Sequence, residues 1–139
     1  MKSLAMQLLV AVAACGGCGS TNSSGPLLSD GCVSPGATYL ETFAQTSGTC
    51  GALSSEVVDV SPDGSVPLAS SMNCSSFDRS GCTLTYTDCT TTANGVSYTS
   101  TSSLTFAADG RSASGVATLM VAGNNLDCSS TYSVTATRQ

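Results

Sequence analysis

The chain has 139 residues, only 9% of them charged, and a formal net charge of −5. Past residue 14 the basic side chains are Arg79, Arg111 and Arg138, set against nine carboxylates; three against nine is −6, which excludes nucleic-acid binding, since that needs a basic surface to displace counterions. Histidine is absent and the single lysine is Lys2, so the commonest general base, the commonest metal ligand and lysine nucleophiles are missing from the rest of the chain.

Met1-Lys2-Ser3 is a short positive start, followed by an apolar stretch at residues 4–14 (LAMQLLVAVAA). A helix that crosses a bilayer needs about 20 apolar residues, so this stretch suits the core of a signal peptide. It ends Val12-Ala13-Ala14-Cys15. That ending resembles the lipobox of bacterial lipoprotein precursors: a branched apolar residue, two small residues, then cysteine. The resemblance covers residues 1–15 alone. It implies diacylglyceryl transfer to the Cys15 thiol, cleavage after Ala14, and an acyl chain such as palmitate on the new amino terminus. Gly16 stands where an aspartate would favour retention at an inner membrane, so the resemblance implies an outer-membrane anchor. Cleavage before Cys18 instead would put Cys15 where leucine or valine is wanted. Cys15-Gly16-Gly17-Cys18 is also a C-x-x-C, but it has no following helix and no second ligand pair, so a redox or metal role is not expected.

The chain therefore divides into a signal peptide (1–14), the lipidated cysteine with a Gly/Ser-rich flexible tether (15–31), and one domain (32–139). Residues 37–44 (ATYLETFA) read as a strand with Tyr39, Glu41 and Phe43 on one face; a helix is the alternative there. Residues 54–60 read as a second strand. Ser61-Pro62-Asp63-Gly64 is a turn into a third at 65–71.

The second half is more regular. Residues 82–87 alternate apolar side chains with threonine, and residues 96–106 place Val96, Tyr98, Leu104 and Phe106 on one face. Strands at 111–121 and 129–138 follow. Asn94-Gly95, Asp109-Gly110 and Asn124-Asn125 separate them as turns. A two-residue loop at Asp109-Gly110 sets Phe106 opposite Ala113, Leu104 opposite Gly115 and Tyr98 opposite Val121. One at Asn124-Asn125 sets Ala117 opposite Tyr132 and Gly115 opposite Val134. At Asn94-Gly95 a two-residue loop would set Leu104 against Thr85, a slip that turns an apolar residue outward. A three-residue loop, Ala93-Asn94-Gly95, sets Leu104 against Leu84 and Phe106 against Cys82. The expectation is a four-stranded antiparallel meander within an all-β fold of about seven strands, either a sandwich or a partly closed barrel.

Cys32, Cys50, Cys74, Cys82, Cys89 and Cys128 are an even set in an exported chain and predict three disulfides. The register sets Cys82 and Cys128 at opposite ends of the meander, and Cys82 cannot reach Cys89 along one extended strand. The pairing expected is Cys32–Cys50, Cys74–Cys82 and Cys89–Cys128.

Candidate sites are few. Asp59-x-Ser61-x-Asp63-Gly64 mimics the start of a calcium loop, but its twelfth position is Ser70 where glutamate should chelate, so no metal is expected. Glu41 shares a face with Tyr39 and Phe43, where burial would raise its pKa, yet no second carboxylate can be placed opposite it from sequence. No G-x-S-x-G is present and no histidine exists to activate a serine. No cofactor is expected, and the expected partner is the membrane through the lipid anchor. The function expected is a non-enzymatic structural or interaction module of the cell envelope. The alternatives are a small-ligand carrier, with Ser100, Ser102 and Gly115 leaving room inside the strands, or an inhibitor of extracellular enzymes. A cluster of carboxylates in a cleft would point to an enzyme instead.

Overall fold

The computed structural model describes residues 31–32, 35–62 and 73–139. Cys15 and Cys18, the tether up to residue 30, Asp63-Gly64 and the strand expected at 65–71 lie outside the described residues. Among the described residues seven strands form: β1 (Ala37–Gly48), β2 (Glu56–Val60), β3 (Ser76–Ser80), β4 (Thr83–Ala93), β5 (Val96–Phe106), β6 (Ser112–Ala122) and β7 (Cys128–Arg138). All pair antiparallel in one sheet, ordered β2-β1-β7-β6-β5-β4-β3, which curls into a half-barrel. The protein is thus all-β, and a single curled sheet replaces the two layers of a sandwich.

The period-two pattern explains the curl's two surfaces. Most apolar residues face the concave side, while the convex side is largely serine and threonine. There the hydroxyls bond across strands, as in Thr42–Thr135 at 2.6 Å and Thr83–Thr105 at 2.8 Å. Such pairs add a few tenths of a kcal/mol each and keep the surface wet without charge.

β4 to β7 form the expected meander, with Phe106 opposite Ala113, Leu104 opposite Gly115, Tyr98 opposite Val121 and Ala117 opposite Tyr132. Leu84 does face Leu104, but for a different reason than a three-residue loop. Ala93 pairs with Val96, so the turn is the two residues Asn94-Gly95, both at positive φ. The surplus residue sits further down β4, where the register shifts between Tyr86 and Cys89. Asp88 adopts φ 46° in this bulge. Its amide donates to the Thr101 hydroxyl at 3.0 Å. A bulge absorbs one residue while keeping both halves of the strand facing the core.

The β1–β2 hairpin docks through β1 on β7. Among the described residues β2 and β3 are the sheet edges, and both are five residues long and carry charge (Asp59; Asp78 and Arg79), which discourages pairing with other chains. β3 was not expected: its sequence, SFDRS, has little apolar alternation. It forms because β4 offers a free edge, and Phe77 packs on Tyr86 at 5.1 Å between ring centroids.

All six domain cysteines pair, but not in the expected combination. The disulfides are Cys32–Cys82, Cys50–Cys128 and Cys74–Cys89. The expected set failed because the sheet order puts the segment before β1 near the start of β4, and the segment after β1 near the start of β7. Three disulfides are consistent with an exported protein.

Two apolar clusters fill the ends of the half-barrel. One gathers Tyr39, Val58, Val60, Leu84, Phe106 and Ala136 with their neighbours. Tyr39 meets Phe106 edge-on at 5.4 Å, and its hydroxyl donates to the Gly110 carbonyl at 2.7 Å. The other gathers Val96, Leu119, Val121 and Tyr132, capped by Leu53 and the Cys50–Cys128 bridge. Phe43 touches both clusters.

Candidate functional site

Between the two clusters the concave face holds a partly open cavity of about 130 Å³. Its walls come from β1 (Glu41, Phe43), β2 (Glu56, Val58), β4 (Tyr86, Cys89), β5 (Ser100, Ser102), β6 (Ala117, Leu119) and β7 (Tyr132, Val134). The space exists because the middle of β5 carries serines and β6 carries Ala117 where neighbouring rows carry Leu, Phe and Tyr. Ser100 and Ser102 therefore do what the sequence suggested. Gly115 does not line the cavity. A Cβ there would collide with the Ser103 carbonyl oxygen, so this glycine permits close approach of β6 to β5.

One wall is polar in an unexpected way. Glu41 on β1 is the cross-strand partner of Glu56 on β2, and both line the cavity. They are the two glutamates of the chain. Directly opposed side chains on antiparallel strands have Cβ atoms about 5 Å apart, and like charges so placed repel. No arginine among the described residues pairs with either one, and neither carboxylate has a hydrogen-bond donor there. Burial, then the charge of Glu41, lifts the Glu56 pKa from its ordinary 4.5 to about 7. Burial also raises that of Glu41.

The second carboxylate was missed because the 49–55 connection gives no register. A signal was nonetheless present: in Glu56-Val57-Val58-Asp59-Val60 the alternation puts Glu56 on the face of Val58 and Val60. Of the other candidates, Asp59 points away from the cavity and accepts from the Thr38 hydroxyl at 2.6 Å. No group of three or more metal-ligating side chains occurs among the described residues. The segment 49–55 folds over the cluster of Val96, Leu119, Val121 and Tyr132. It is held there by Cys50–Cys128, by the Cys50 amide donating to Ser130 Oγ at 2.8 Å, and by the Tyr132 hydroxyl donating to the Gly51 carbonyl at 2.7 Å.

No family model, curated protein or solved structure matches the chain.

Proposed function

We propose that this chain is a non-catalytic lipoprotein of the cell envelope, anchored through Cys15, whose domain carries a small and mostly apolar ligand in the concave face of its half-barrel. The observation that carries the reading is the cavity left by Ser100, Ser102 and Ala117 between two otherwise filled clusters. Apolar walls with a few polar groups are the usual make-up of a ligand site. At about 130 Å³ the cavity is close to the roughly 150 Å³ that admits a benzene ring. The carboxylate pair does not favour an enzyme. Glycosidase acids flank their substrate, whereas Glu41 and Glu56 project side by side from one wall, among side chains too apolar to hold a sugar.

An interaction module is the second reading. It draws on Val116 and Met120, both more than half exposed on the convex row of β6.

The experiment is an NMR titration of the oxidised protein with benzyl alcohol, a neutral single ring. Shifts confined to the methyls of Val58, Leu104, Leu119 and Val134, and lost in Ala117→Leu, are expected. An absence of shifts at these methyls would reject the carrier. The anchor is tested separately by the intact mass of protein extracted from its own membranes: an unacylated chain found in the soluble fraction would reject it.

A further inference from the structure

The carrier reading says nothing of the ligand's charge, and the Glu41–Glu56 pair supplies it. We propose that the cavity selects small organic cations: a protonated amine on one ring or a short chain, with its ammonium at the two carboxylates and its hydrocarbon against Phe43, Val58, Tyr86 and Val134. This inference rests on the carrier reading and adds the chemical class.

The argument is one of uncompensated charge. Two carboxylates set opposite each other in an apolar wall lose part of their hydration and repel. Among the described residues no side chain relieves this. Of the ionisable groups on the concave side, Arg79 on β3 donates to the Gly81 carbonyl, and Arg138 on β7 stands beside Tyr39. Tyr86 and Tyr132 complete the ionisable groups lining the cavity, since Cys89 is in a disulfide. An ammonium brings three donors and a charge, matching acceptors that have neither donor nor counter-charge among the described residues. Other occupants fit worse. An anion is repelled. Calcium takes six to eight oxygen ligands, and two glutamates within hydrocarbon fall far short. A purely apolar ligand leaves both carboxylates dehydrated without a partner.

A proton competes for the same place. Glu56 takes one near pH 7, so amine binding weakens as pH falls below about 7.

The test compares three near-isosteric probes, benzylamine, benzyl alcohol and benzoate, titrated into the oxidised protein at about pH 8 and followed at the lining methyls. Benzylamine is expected to bind about tenfold or more tighter than benzyl alcohol, as one charge-assisted hydrogen bond allows, with benzoate weakest. In the double variant Glu41→Gln/Glu56→Gln the amine loses its advantage over the alcohol. Equal binding of amine and alcohol to the unaltered protein overturns the cation inference and leaves the carrier reading standing. An amine preference that survives the double substitution overturns it too. Binding of none of the three overturns both readings.

Discussion

Glu41 and Glu56 stand directly opposite each other across the β1–β2 ladder, facing the cavity. Because the folded pKa of Glu56 is about 7 against an ordinary 4.5, the folded state binds more protons than the unfolded state between those values. Stability is then fully present below about pH 4.5 and declines as pH rises toward about 7. Glu41, raised by burial, acts in the same sense. Glu56→Gln is expected to stabilise the protein at pH 8 by about 1 kcal/mol, discounted because the side chain is only part-buried, and to change little at pH 4. Urea unfolding at the two pH values checks this; equal effects at both would contradict the raised pKa.

Disulfide pairing gives a second prediction. A non-reducing peptide map is expected to recover Cys32–Cys82, Cys50–Cys128 and Cys74–Cys89. Cys50–Cys128 joins residues 78 apart and Cys74–Cys89 residues 15 apart. On chain entropy, replacing the first pair by serine costs about 4.5 kcal/mol and the second about 3 kcal/mol. Thermal unfolding of the two double variants should preserve that order.

Tyr132 is wholly buried, and its hydroxyl holds the backbone of Gly51. Tyr132→Phe keeps the ring and loses the hydrogen bond, at a cost of about 1 kcal/mol. Amide exchange should accelerate most in residues 49–53. Uniform acceleration throughout the sheet would show that the bond is not what holds the segment.

The turn between β6 and β7 is a fourth lever. Asn124 and Asn125 have φ of 51° and 62°, the left-handed conformation a two-residue hairpin needs. Asn124 also donates to the Asn94 carbonyl of the neighbouring turn at 2.6 Å. Asn125→Gly is expected to be neutral or slightly stabilising, and Asn125→Val to cost about 1–2 kcal/mol, because a β-branched residue resists positive φ. The difference between their midpoints in guanidinium checks it.

Composition and alternation determined much by themselves. Few charges, many threonines and six domain cysteines specify an all-β, disulfide-bonded domain, since period-two patterning has one wet and one dry face. The meander registers at Asp109-Gly110 and Asn124-Asn125 were legible because short turns couple neighbouring strands, and one correct pair then fixes the rest. The same logic located a conflict at Asn94-Gly95 but put the extra residue in the turn, whereas the chain holds it at Asp88. Turn chemistry is local, but a bulge is settled by what both strand halves must bury.

Tertiary structure alone decided the remainder. The sequence marks β1 and β2 as strands but not where they dock, because the energy of docking is shared among residues far apart in the chain. From that docking follow the disulfide pairing, the edge strand β3, the packing of Tyr39 against Phe106 across the half-barrel, and the meeting of Glu41 with Glu56. Each glutamate could be assigned a face from its neighbours. That the two meet depends on the β1–β2 register, which the irregular connection at 49–55 leaves unspecified until the Cys50–Cys128 bridge and Tyr132 hold it in place.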